Sequence, residues 1–258
     1  MRYFLELQYK GSNYAGWQIQ DNAVAVQQKL NEALSVLLHH NVDTIGCGRT
    51  DTGVHATQFF AHFNVDNEIF SPDKFLFSLN GILPLDIGII DLHLVQDNAH
   101  ARFDATERSY QYFIHQTKNP FLKDVAMFFK RSLNVELMNE ACQLLKTYHD
   151  FTCFSKSNTQ TKTNMCNIIH AKWIQENDLL IFNITADRFL RGMVRAIVGT
   201  MLHVGEGRIS IHDFKMIIEG KDRSKAGVSV DAHALYLTAI KYPYLNSTKK
   251  NTFALRLV

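Results

Sequence analysis

Asp51 lies two residues after Arg49 in the stretch Gly48-Arg49-Thr50-Asp51-Thr52-Gly53-Val54-His55-Ala56, a loop bracketed by glycines. Glycine tolerates φ > 0 and lets a backbone come close to another chain or a ligand. A carboxylate beside a fixed positive charge stays ionised at neutral pH. An ionised Asp serves as a nucleophile or electrostatic stabiliser, not as a general acid. The same residues also suit a plain turn in which Asp51 caps a helix or closes an Asx-turn. Farther along, Arg188, Arg191 and Arg195 stand three and four apart, which puts them on one face of a helix. That face is either a solvated basic surface or a set of guanidinium groups suited to carboxylate and phosphate. Tyr110 and Tyr112 alternate within Arg108-Ser109-Tyr110-Gln111-Tyr112 and share one strand face, as core packing or as a stacking platform.

No metal or cofactor is expected. The twelve histidines include no H-E-x-x-H, and Cys47, Cys142, Cys153 and Cys166 include no C-x-x-C. Gly205-Glu206-Gly207 is too short for a dinucleotide loop.

The elements that must position these groups follow from periodicity. Arg2 to Lys10 alternates as a half-buried strand, and Phe59 to Val65 alternates again. Val26, Leu30, Leu34, Leu37 and Leu38 predict an amphipathic helix over 24–40. Ser71-Pro72-Asp73 reads as a helix start. Gly88 to Val95 and Ser109 to His115 read as strands, and Val135 to Tyr148 as a helix. Ile168 to Gln175 and Leu179 to Thr185 form a hairpin through Glu176-Asn177-Asp178. A helix is predicted from Arg188 to about Val204, with Phe189, Met193, Ile197 and Met201 as its core stripe. A capped helix at Ser210 to Glu219, a strand at Leu235 to Tyr242 and a last strand at Phe253 to Val258 complete the reading. The strands are not regularly spaced by crossover helices, so the class is α+β.

Composition narrows the function classes. With 46% hydrophobic and 20% charged residues, the 258-residue chain is a globular protein able to bury a substantial core. No apolar run approaches the roughly 18 residues that span a bilayer. Met1-Arg2-Tyr3-Phe4 does not open a signal peptide, and the cysteine usage fits a reducing cytoplasm. Residues 1–100 hold 5 basic and 11 acidic residues, which leaves 22 basic and 14 acidic in the remainder. The split is either a concentration of positive potential toward the C-terminal part or uneven solvated surface.

The Asp51 loop resembles the active-site loop of the tRNA pseudouridine synthase A family, G-R-T-D-x-G-V-H-A, at every fixed position. Further segments match in the family's order: Gly11-Ser12-Asn13-Tyr14-Ala15-Gly16-Trp17-Gln18, Ala101-Arg102-Phe103-Asp104-Ala105, and Arg108 to Tyr112. Asp150-Phe151-Thr152, Phe189 to Gly199, and Leu235-Tyr236-Leu237 with Tyr242-Pro243 continue the set. The resemblance implies an α+β pseudouridine synthase fold of two RRM-like or ferredoxin-like halves, 1–104 and 105–258. It also implies a mostly antiparallel sheet and a central RNA-binding cleft. The implied reaction isomerises uridine to pseudouridine in the anticodon stem-loop of tRNA, at positions 38, 39 and 40 in tRNA numbering. The implied enzyme is a cytoplasmic homodimer with no cofactor, metal or membrane partner.

By the same resemblance Asp51 is the essential nucleophile and Arg195 the arginine that pairs with it. Tyr110 stacks on the target uracil, and Leu235 is the aliphatic residue on the base's other face. Arg49 displaces the base from its stack or pairs with Asp51, and Arg188 or Arg191 meets phosphate. His55 touches RNA or orients the loop. Two departures stand out. Asp231-Ala232-His233-Ala234 replaces a proline and a glycine frequent in the family, and Lys162 to Ile168 lacks a common arginine, leaving Lys156 or Lys162 for phosphate. Two other function classes compete: a non-catalytic RNA-binding protein, which would tolerate loss of Asp51, and a nucleoside or glycoside hydrolase. Glycosidases usually oppose a second carboxylate to the first, and the matched segments offer none.

Overall fold

The computed structural model describes residues 1–156 and 162–245. The strand expected at Phe253 to Val258 lies outside them. In chain order the first elements are β1 (Arg2–Tyr9), α1 (Val26–Leu38), β2 (Ile45–Gly46), β3 (His55–Asn64), α2 (Pro72–Ile82) and β4 (Ile87–Val95). Next come β5 (Glu107–His115), β6 (Met127–Phe128), α3 (Val135–Leu145), β7 (Ile168–Glu176) and β8 (Leu179–Ala186). The last are α4 (Met193–Gly205), α5 (Ile211–Gly220) and β9 (Leu235–Lys241). Residues 1–106 and the described residues from Leu237 onward make one compact unit, and 107–236 make a second. A division at residue 104 therefore differs in the destination of β9. Among the described residues no helix is long and apolar enough to cross a membrane.

In the first unit the strand order is β4-β1-β3-β9, with β2 on β3. β1 is antiparallel to both neighbours, and Leu5 faces Ala61 on one side and Leu92 on the other. α1 buries Val26, Leu30, Ala33 and Leu34, while α2 buries Phe75 and Leu79. Phe75 stacks on Phe63 of β3 with ring centroids 6.3 Å apart. The half-buried β1 expected from alternation is instead buried from Tyr3 to Leu7. Even Glu6, 2% exposed, lies inside, because the Gln58 side-chain amide donates to its Oε1 at 2.7 Å. A buried carboxylate persists only when such donors replace its water. Gln58 Oε1 in turn accepts from the Ile240 N–H at 2.9 Å, so one side chain ties β1 and β9 to β3.

In the second unit β5, β8 and β7 run antiparallel in that order, and β6 pairs parallel with β5. Trp173 on β7 stacks on Phe182 of β8 at 4.9 Å. The Asn139 side chain on α3 both accepts from and donates to the Trp173 backbone, at 2.9 and 3.1 Å. α5 opens with a capping box in which Ser210 and Asp213 satisfy each other's backbone N–H.

α4 is shorter than predicted. It begins at Met193, and Arg188 to Gly192 precede it as irregular chain. Gly192 takes φ +71 at the N-cap, a left-handed backbone that no helix interior contains. The expectation that Arg188, Arg191 and Arg195 share one helical face is therefore corrected: only Arg195 is on the helix.

Candidate active site

β3 begins at His55, and the loop before it rests on the segment that follows β1. An added Cβ on Gly11 would lie 2.0 Å from the Val54 carbonyl oxygen, and one on Gly16 2.3 Å from that of Thr50. The two segments thus touch backbone to backbone, and Gly16 also carries φ +91. Hydrogen bonds fix the contact. The Trp17 N–H donates to Thr50 O at 3.3 Å, and the Gly53 N–H to Tyr14 O at 3.3 Å. The Tyr9 and Thr50 hydroxyls lie 2.9 Å apart. The Val54 N–H closes the turn onto Asp51 O at 3.1 Å. Asp51 is therefore flanked by held positions on both sides, and its side chain is half-buried. The helix-cap reading of Asp51 is corrected: no helix follows it, and strand β3 does.

The other candidates in this unit divide by exposure. His55 is 2% exposed, and its Nδ1 accepts from the Gly11 N–H at 2.9 Å. That bond ties the loop to its shelf and requires an unprotonated Nδ1. Arg49 points outward, and among the described residues it forms no ion pair.

The second unit carries the remaining candidates. Tyr110 lies on β5 opposite Ile184, half-buried, and meets the edge of Phe189 at 5.1 Å and 89°. Phe189 thus packs on the tyrosine rather than lining a helix. Arg108 donates to the Asp187 carbonyl at 2.8 Å, and Asp187 Oδ1 accepts from the Arg188 and Asn167 N–H groups at 2.7 and 2.8 Å. Arg188 is half-buried and Arg191 exposed; the Arg191 carbonyl accepts from the Lys156 N–H at 3.1 Å.

Arg195 is half-buried on the first turns of α4, and its Nε donates to Val230 O at 2.6 Å. The Val230 N–H returns a bond to Arg195 O at 3.3 Å. The segment bearing Val230 is itself seated on α4, where the Gly227 N–H donates to Thr200 Oγ1 at 2.8 Å. Tyr112, fully buried, donates to the Asp231 carbonyl at 3.0 Å. Burial pushes the Tyr112 hydroxyl well above its ordinary pKa, so it remains a donor. A short 3₁₀ turn, Ala232–Ala234, then delivers Leu235, 5% exposed, to the start of β9. Arg195, Tyr110 and Leu235 are each positioned by one connected framework.

Sequence reasoning missed Val230 and the supporting parts of the 9–17 segment. Gly11, Tyr14 and Gly16 stand inside a matched segment, but which backbone they touch is not a property of spacing.

A family model described as tRNA pseudouridine synthase matches residues 141–243. A tRNA pseudouridine synthase A from Parabacteroides distasonis is 50% identical over 242 residues, covering 94% of this chain and 96% of its own. A protein of the same name from Azobacteroides pseudotrichonymphae is 51% identical over 242 residues, covering 94% and 97%. One from Bacteroides fragilis is 48% identical over 243 residues, covering 94% and 96%. Agreement at about half of all positions, along nearly the full length of both partners in each comparison, settles the kinship. The chain belongs to the tRNA pseudouridine synthase A family.

Proposed function

We propose that this chain isomerises uridine to pseudouridine in the anticodon stem-loop of tRNA, at positions 38, 39 and 40, with Asp51 as the nucleophile. One observation carries the reading: a half-buried carboxylate on a turn whose neighbours are pinned by backbone hydrogen bonds, within an intact family loop. A group held this way arrives at its target without reorganising, which is where most of the rate gain in such sites originates.

The reaction breaks the N1–C1′ bond, turns the uracil, joins C5 to C1′, releases the C5 proton to solvent and leaves N1 to take up a proton in its place. It needs no oxidant, metal or nucleotide. Following the family resemblance, Arg195 holds Asp51 ionised, and its bond to Val230 supports a fixed guanidinium. Tyr110 and Leu235 bracket the base and exclude water that would otherwise hydrolyse a glycosyl intermediate. A base in a paired stem must be everted at a cost of about a few kcal/mol, and exposed Arg49 suits that task. Arg188 and Arg191 meet phosphate. His55 serves the loop rather than the RNA, as its burial supports. On this reading the two units are the RRM-like halves the resemblance implies, and the enzyme works as a cytoplasmic homodimer.

Tritium release from tRNA labelled at uridine C5 tests the proposal. Wild type should release tritiated water, Asp51→Asn none, and Arg195→Met far less than wild type. Free uracil as product would point to hydrolysis, and silence from wild type to an RNA-binding module.

A further inference from the structure

We propose that Asp86 is a positioning residue for the reacting carboxylate: it grips Tyr14 and Asn13, and through them the backbone shelf that carries the Asp51 turn. The inference rests on the reading of Asp51 as nucleophile. Asp86 lies one residue before β4. Its own backbone is fixed from both directions. Its carbonyl accepts from the Lys10 N–H at 2.9 Å, and the following residues, Ile87 and Gly88, pair with Tyr9 and Gln8 of β1.

From that anchored point the carboxylate reaches into the 11–16 segment with both oxygens. Oδ1 accepts from the Tyr14 hydroxyl, and Oδ2 from Asn13 Nδ2 at 2.9 Å. Tyr14 is 6% exposed, and its carbonyl is the acceptor for the Gly53 N–H. A single residue therefore separates Asp86 from the backbone of the turn. Burial, reinforced by the neighbouring carboxylate, raises the Tyr14 pKa far above its ordinary value, so the hydroxyl stays a donor at every working pH. An acceptor of two simultaneous bonds is what the geometry requires. A carboxylate supplies four lone-pair sites and no competing N–H, whereas an amide would turn its NH₂ toward one of the two donors.

This arrangement separates positioning from substrate contact. Asp86 addresses the shelf from the β4 side through its bonds to Asn13 and Tyr14. Its loss should slow the chemical step and leave tRNA affinity almost unchanged, since a displacement of about 1 Å at the reacting group costs on the order of 100-fold.

The test is the single-turnover rate of tritium release with enzyme in excess, alongside tRNA affinity and thermal midpoint. The variants are Asp86→Ala, Asp86→Asn, Tyr14→Phe, the Asp86→Ala/Tyr14→Phe double and Asp51→Asn. Tyr14→Phe and Asp86→Ala should each slow the step by about 10- to 100-fold with tRNA affinity within about twofold. Asp86→Asn keeps an oxygen for Tyr14 but turns an NH₂ toward Asn13, so it should recover only part of the rate. The double variant should be little slower than Asp86→Ala alone, because both act through one bond. A wild-type rate for Tyr14→Phe, a loss that follows affinity rather than rate, or multiplicative effects in the double variant would each overturn the inference. If Asp86→Ala does not fold, Tyr14→Phe decides the matter. Turnover by Asp51→Asn would overturn the nucleophile reading and this inference with it. An inactive Asp51→Asn beside full-rate Tyr14→Phe and Asp86→Ala would overturn this inference alone.

Discussion

Replacing Gly11 with alanine should disable the enzyme without touching any residue that meets substrate. The new Cβ would sit 2.0 Å from the Val54 carbonyl oxygen and 2.7 Å from its carbon, where ordinary contact begins at 3.4 Å. The two backbones must part by the difference, about 1.4 Å, because protein interiors have no slack of that size. Val54 is bonded to Asp51 O, so the turn moves as a body. A misplacement of about 1 Å costs on the order of 100-fold, near 2.7 kcal/mol in the barrier. Overpacking should also lower stability by about 1–3 kcal/mol, so rates must be compared well below the variant's own midpoint. Gly81→Ala in α2 is the matched control, since a Cβ there meets nothing within 4 Å, the backbone is not left-handed and the position is outside the loop. The assay is single-turnover tritium release, with tRNA affinity measured in parallel. Gly11→Ala should lose about two orders of magnitude in rate and Gly81→Ala almost none. A Gly11→Ala rate within threefold of wild type would refute the claim that this contact sets the Asp51 position.

Stability should fall in mild acid because of His62. Burial foremost, then the Arg2 and His100 charges, lowers its pKa from 6.5 to about 4. The folded state thus refuses a proton that the unfolded chain takes, so this contribution is full above pH 6.5 and lost as pH falls toward 4. Unfolding free energies from denaturant titrations at pH 7.5 and 5.0 should differ by about 2 kcal/mol from this group, with a shallower dependence on pH in His62→Gln. An unchanged dependence would remove the assignment. Ser210→Ala breaks the α5 capping box and should cost about 1 kcal/mol, read as a midpoint drop of about 2–4 °C with tritium release at 25 °C unaltered.

Local chemistry explains what could be read from the chain alone. The stripe Val26/Leu30/Leu34, the Ser210 start and the Asn177 turn are specified by residues within a few positions of each other, and all three stand where expected. The Asp51 loop is legible through its resemblance to the family motif, since its local chemistry suits a plain turn as well. Spacing misleads where apolar residues continue past a boundary set by backbone geometry: Phe189 is in phase with Met193 and Ile197, yet left-handed Gly192 intervenes and Phe189 turns to Tyr110. Alternation likewise marks Glu6 as solvent-facing, because its partner Gln58 lies 52 positions away. Asp86 was invisible, being a lone acid whose meaning depends on a tyrosine 72 residues earlier. Arg195 is named by the family resemblance, but its orientation is set by a carbonyl 35 residues later and is not legible in the sequence.

The first unit is discontinuous in sequence, and that has a consequence for biosynthesis. Gln58 is ready early, but its acceptor oxygen receives the Ile240 N–H only after residues 107–236 have been made. At a ribosomal pace of about 5–20 residues per second, the gap is on the order of ten seconds. During that time β3 presents an edge that β2 and Cys47 cover from Phe60 to His62, and the rest is the kind of unpaired strand that invites mispairing with another nascent chain. The second unit, unbroken in sequence, can meanwhile close by itself, so translation should finish one unit before it completes the other.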